Sequence, residues 1–93
     1  VRANRLYRFR GATKGRGITG FAQLQCAFRD SEGGMIYHSG HVPGSRLLTS
    51  DFGWSLEEGE LQAPPGATAV DVRLMLWGPG TVWYDEIEFA EAT

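Results

Sequence analysis

Two-residue alternation of apolar and polar side chains recurs along most of this chain, and it is the feature that most limits the fold. From Arg5 to Arg10, Tyr7 and Phe9 share one parity while Arg8 and Arg10 share the other. From Gly20 to Arg29, Ala22, Leu24, Cys26 and Phe28 oppose Phe21, Gln23, Gln25 and Ala27. From Thr68 to Trp77, Val70, Val72, Leu74 and Leu76 oppose Asp71, Arg73, Met75 and Trp77. Side chains of a strand alternate between the two faces of a sheet, so each stretch predicts a strand with one buried face. No segment of helical length keeps apolar residues at i, i+3, i+4 and i+7, which excludes a substantial helix.

The punctuation agrees. Asp30-Ser-Glu-Gly-Gly34 predicts a hairpin turn leading to a returning strand at Met35 to Ser39. Further strands are expected near Arg46 to Ser50 and from Gly53 to Gln62. Ala63-Pro-Pro-Gly-Ala67 interrupts the sheet, because adjacent prolines remove two hydrogen-bond donors. Gly78-Pro-Gly80 predicts a tight turn before a last strand from Thr81 to Ala90. There the apolar parity shifts from Val82 and Tyr84 to Ile87 and Phe89, so a bulge is expected at Asp85-Glu86. Six or seven strands in one domain spanning residues 1–93 indicate an all-β antiparallel β-sandwich, and 93 residues with 11 aromatics suffice for a single core.

Charge and cysteine content narrow the function classes. Residues 1–16 carry six basic residues and no acid, while the remainder carries three bases against eleven acids. The arginines of the front segment alternate with Leu6, Tyr7 and Phe9, so this strand is expected to neutralise acidic neighbours rather than to serve as a nucleic-acid arm. No apolar run approaches the ~18 residues of a membrane-spanning helix, so no membrane partner is expected. A single cysteine, Cys26, permits no intrachain disulfide, and its parity with Leu24 and Phe28 marks it as a small buried hydrophobe. No nucleophile elbow, phosphate loop or histidine-carboxylate metal motif occurs, and Asp30, Asp51, Asp85 and Glu86 have no spacing that joins them as a glycosidase pair. The chain reads as a non-enzyme.

The order of motifs carries a family resemblance. It runs from Tyr7-x-Phe9 through the strand ending at Phe28, Asp30-x-x-Gly33, Trp54 and Ala63-Pro-Pro-Gly-Ala67. It continues through Val70-x-Val72-x-Leu74 to the closing Gly78-Pro-Gly-Thr-Val-Trp-Tyr-Asp-Glu-Ile-Glu-Phe89. This resembles the C-terminal two-thirds of a jelly-roll carbohydrate-binding module of the galactose-binding-like type. The resemblance implies a non-catalytic accessory domain of a larger secreted protein, extracellular or periplasmic, that holds a glycan weakly. The family's opening strands have no counterpart, so Val1 is expected to lie inside the domain. The alternative is a structural domain completed by strand sharing with a second copy or a neighbouring domain.

Sugar binding needs an aromatic surface for the C–H face of the ring and planar polar groups for its hydroxyls. Trp77, Arg73, Gln23, Gln25, Arg10 and Met75 have the parity to share the second sheet face and form the expected ligand site, against the plainer reading of an ordinary polar outer face. Trp54 is expected in the core and Trp83 partly exposed. Tyr37, His38 and His41 are expected in a surface loop. Glu57, Glu58 and Glu60 read as a solvated strand edge. The resemblance further implies a structural calcium at Asp85.

Overall fold

A computed structural model of the chain describes residues 1–36 and 44–92. All regular structure among them is strand: β1 (Leu6–Arg29), β2 (Met35–Ile36), β3 (Leu48–Gln62), β4 (Ala69–Trp77) and β5 (Thr81–Glu91), joined in one antiparallel sheet. The count is five rather than six or seven. The stretches expected at Arg5–Arg10 and Gly20–Arg29 are one strand, as are the two expected between Arg46 and Gln62. The glycine-rich segment Gly11–Gly20 lacks apolar alternation and so reads as a break, yet its backbone hydrogen bonds to β3 and β5 carry the strand through it. The returning strand keeps Met35 and Ile36, paired with Arg29 and Phe28. The rest of that stretch, with Tyr37, His38 and His41, lies outside the described residues.

β1 is the axis of the molecule. On one edge it pairs with β2 and β3, and on the other with β4 along its second half and β5 along its first. Its 24 residues would span roughly 80 Å if straight. The longest dimension of the molecule is 39 Å, so β1 must fold back near its middle. The core contacts locate the fold. Tyr7 shares a cluster with Phe28, Phe9 with Leu24 and Cys26, and Ile18 with Ala22. These nested partners are centred close to Gly17, whose φ of 64° suits glycine. All three register shifts between β1 and β3 fall between Thr13 and Ala22. The bend therefore turns the apolar face of one half of the sheet onto that of the other.

The flanking segments follow the same bend. Gly78-Pro79-Gly80 is a corner, not a hairpin: β4 and β5 both run antiparallel to β1, one after the other along the same edge. Gly78 and Gly80, at φ 85° and 135°, supply the backbone it needs. The Asp30–Gly34 turn is closed by Asp30 Oδ1, which accepts from the amides of Glu32 and Gly34. The Pro64-Pro65 interruption is a turn closed by the Ala67 amide donating to the Pro64 carbonyl. On β5, Glu86 has φ 52° and the register with β1 shifts between Arg10 and Ala12, which is the bulge expected at Asp85-Glu86.

Four predicted burials differ. Leu74 and Leu76, on the face of Leu24 and Ala22, are 49% and 37% exposed, because β4 lies at the sheet's edge where the apolar face runs past its cover. Trp54 is 56% exposed rather than core, because it falls in the irregular stretch between Ser55, paired with Thr13, and Phe52, paired with Gly15. Glu57 is buried and no solvated edge. It shares the core-side parity of Leu61 and is held by Arg46 Nε at 3.0 Å and the Ser55 hydroxyl at 2.8 Å. Removing either partner would leave a buried polar group without its hydrogen bond, which is costly.

The basic front strand meets the acids as its charge pattern implies. Arg8 binds Glu60 on β3, while Arg5 and Arg10 face Glu91 and Glu88 on β5. All of these side chains are largely solvated, so the pairs favour this register more than they add stability.

Cys26 is fully buried, and burial pushes its thiol from 9.0 up to about 12. Above pH 9 the unfolded chain releases this proton while the folded chain keeps it, so stability is full below pH 9 and falls as pH rises toward about 12. The Tyr84 hydroxyl, also raised by burial from 10.0, acts in the same direction. Urea unfolding between pH 7 and 11 should show this alkaline loss, and Cys26→Ala should flatten it by up to about 1.4 kcal/mol per pH unit. A pH-independent midpoint would refute the assignment.

Candidate functional site

The outward face of the second half of β1 gathers five of the six expected ligand residues. Antiparallel register sets Gln23 opposite Met75, Gln25 opposite Arg73, and Phe21 opposite Trp77. Phe21 was not among the expected residues, although it has the parity of Gln23 and Gln25. Its ring packs on Trp77 with centroids 4.4 Å apart and planes 31° from parallel.

The polar groups form a chain. Gln25 Nε2 donates to Gln23 Oε1 at 2.8 Å, and Gln23 Nε2 donates to the Ser45 carbonyl at 2.9 Å. Ser45 is tied to β1 in turn, its hydroxyl accepting from the Leu24 amide and its own amide donating to the Leu24 carbonyl. Gln25 is only 8% exposed, so it orients Gln23 rather than offering itself to a ligand. Arg73 is partly exposed, and none of the ion pairs found among the described residues uses it. Beneath the face, the Tyr84 hydroxyl lies 2.7 Å from the Met75 carbonyl and 3.1 Å from that of Gln23. Tyr84 belongs to the opposite half of the sheet, so this contact ties the floor of the face to the layer below it.

Arg10 is elsewhere. It belongs to the first half of β1, whose apolar face is turned toward that of the second half, so the two outward faces point in opposite directions. Arg10 pairs with Glu88 there, with Nε and Oε2 3.5 Å apart. Arg10 and Gln23 each oppose the buried set of their own half of β1, Tyr7 and Phe9 in the first and Ala22 and Leu24 in the second, and the alternation changes phase at the bend that separates them.

Asp85 sits in its bulge, where Oδ1 accepts from the Glu86 amide at 2.8 Å. Among the described residues no three histidine, cysteine, aspartate or glutamate side chains gather as a metal site. Asp30 and Asp51 have similar local duties, Asp30 closing its turn and Asp51 Oδ1 accepting from the Gly17 amide at the bend. A cleft of about 310 Å³ beside Pro64 and Pro65 is lined by Asn4, Phe28, Leu61 and Gln62, with Glu60 the one titratable side chain among its described lining residues.

A comparison with protein-family models finds none that matches this chain, and no curated protein matches its sequence.

Proposed function

We propose that the chain is a non-catalytic carbohydrate-binding domain. In this reading the bent sheet is a jelly-roll β-sandwich of the galactose-binding-like type. It serves as an accessory part of a larger secreted protein in an extracellular or periplasmic setting. The supporting observation is the grouping of Phe21, Trp77, Met75, Gln23 and Arg73 on one outward sheet face. Trp77, propped by Phe21, offers an apolar plane for a sugar ring. Gln23 and Arg73 supply hydrogen bonds to hydroxyls, with Gln25 positioning the Gln23 amide. Trp77→Ala should abolish retention on immobilised glycan while leaving the circular dichroism spectrum unchanged. Unaltered retention in the folded variant refutes this site.

A second reading is favoured by the exposed Leu74 and Leu76 on the edge strand β4. A partner strand added there would cover both, making this a structural domain completed by a second copy or a neighbouring domain. Light-scattering mass, measured in the same experiment, separates the two. Glycan binding requires only a monomer, whereas strand sharing between copies gives a stable dimer indifferent to sugars.

A further inference from the structure

Of the outer strands β3, β4 and β5, only β4 leaves its open edge unguarded. β3 is broken by register shifts and by Ser50 at φ 65°, and β5 by its bulge at Glu86. Both also carry a row of glutamates. β4 keeps unbroken register with β1 from Ala69 to Trp77, holds no lysine or proline, and exposes Leu74 and Leu76. Such an edge is a template for a further strand.

The hydrogen bonds of β1 show which backbone groups that edge presents. Leu24 accepts from the Ser45 amide at 2.8 Å, and its own amide donates to the Ser45 hydroxyl at 3.1 Å, both on the side away from β4. Leu74, opposite Leu24, therefore turns its amide and carbonyl away from β1. The next pair faces inward, since the Tyr84 hydroxyl touches the carbonyls of both Gln23 and Met75. By this alternation Val70, Val72, Leu74 and Leu76 point their backbone groups outward, and no strand among the described residues takes them.

The residues of β4 complement themselves. Antiparallel pairing about a two-fold axis at Val72 sets Arg73 opposite Asp71 of the second copy twice, and Leu74 opposite Val70 twice. Arg73 has no ion pair among the described residues. Asp71 bonds Arg29 through Oδ2 and is 43% exposed, open to a second cation. Centring on Arg73 would set two arginines face to face, and centring on Leu74 would set Arg73 against Met75 and Asp71 against Trp77. We propose that two copies of this chain pair through β4 about Val72, joining their sheets into one. This rests on the strand-sharing reading and gives it an edge, a register and a partner.

Light scattering over a dilution series of the 93-residue chain should show twice the chain mass at high concentration. Leu74→Lys should give a monomer with the parental circular dichroism spectrum, because Leu74 is 49% exposed. Arg73→Glu sets like charges opposite each other twice, as does Asp71→Arg, and each should raise the dissociation constant roughly tenfold. An equimolar mixture of those two variants should regain the parental affinity, because each then meets its complement. Amide exchange at Val72 and Leu74 should slow as the dimer forms. A monomer at every concentration overturns the proposal and leaves a neighbouring domain as the strand donor under that reading. A dimer that survives Leu74→Lys, or a mixture without recovery, overturns pairing at β4 while strand sharing at another edge still stands.

Discussion

Phe9→Ala is expected to remove about 3–5 kcal/mol of stability, the range for deleting a buried aromatic ring. Phe9 is 2% exposed and packs with Leu24 and Cys26, so its ring joins the two halves of β1 that the bend brings together. It lies over Gly59, where an added Cβ would come 2.8 Å from the ring, and that neighbour has no side chain to fill the void left behind. A domain of this size has only about 5–15 kcal/mol in total. The thermal midpoint should therefore fall by something on the order of 15 °C. Leu6→Ala is the control, since Leu6 is 43% exposed and should change stability little. Thermal unfolding followed by tryptophan fluorescence measures both. A loss below about 1 kcal/mol for Phe9→Ala would mean that the two halves do not share this core.

Gly20→Ala should damage the fold more than Gly17→Ala, although Gly17 has the unusual backbone. At Gly17, φ is 64° and nothing lies within 4 Å of an added Cβ, so alanine costs only left-handed strain, about 1–2 kcal/mol. At Gly20 the added Cβ would sit 2.1 Å from the Trp77 carbonyl oxygen. A backbone carbonyl cannot swing aside as a flexible side chain can, so the end of β4 must move away from β1. The expected cost is about 3 kcal/mol, the upper part of the usual range for overpacking. Because Trp77 moves with that strand end, Gly20→Ala should also weaken glycan retention, whereas Gly17→Ala should not. Equal urea midpoints for the two variants would show that backbone angle, rather than close approach, governs the bend.

Much of the architecture is legible in the residues themselves. The alternation of Tyr7 with Phe9, and of Leu24 with Cys26 and Phe28, identifies the buried face of each half of β1. The Asp30–Gly34 turn and the Asp85-Glu86 bulge each leave a local chemical trace, in the first case glycines and an aspartate cap, in the second a change of parity. The pairing of Gln23 with Met75 and Gln25 with Arg73 places most of the candidate face as parity implied. Phe21 was equally readable by parity, though its value as a prop for Trp77 appears only once β4 lies beside it. The continuity of β1 through Gly11–Gly20 was not readable, because the signal there is hydrogen bonding to distant strands rather than side-chain pattern.

Period-two alternation alone determined that the chain is all strand, and which side chains of each strand share a face. That information is local, since the pleat sends neighbouring residues to opposite sides whatever the rest of the chain does. The tertiary structure decided which faces meet. Arg10 and Gln23 each oppose the buried set of their own half of β1, which falls at odd positions in the first half and at Ala22 and Leu24 in the second, and the bend near Gly17, where that phase changes, turns the two to opposite sides of the molecule. It also decided what is covered: Leu24 is 1% exposed under the opposing layer, while Leu74 beside it on the same face is 49% exposed at the edge. Burial is a property of what packs above a residue, and for Trp54, Leu74 and Glu57 those neighbours come from remote parts of the chain that no local pattern specifies.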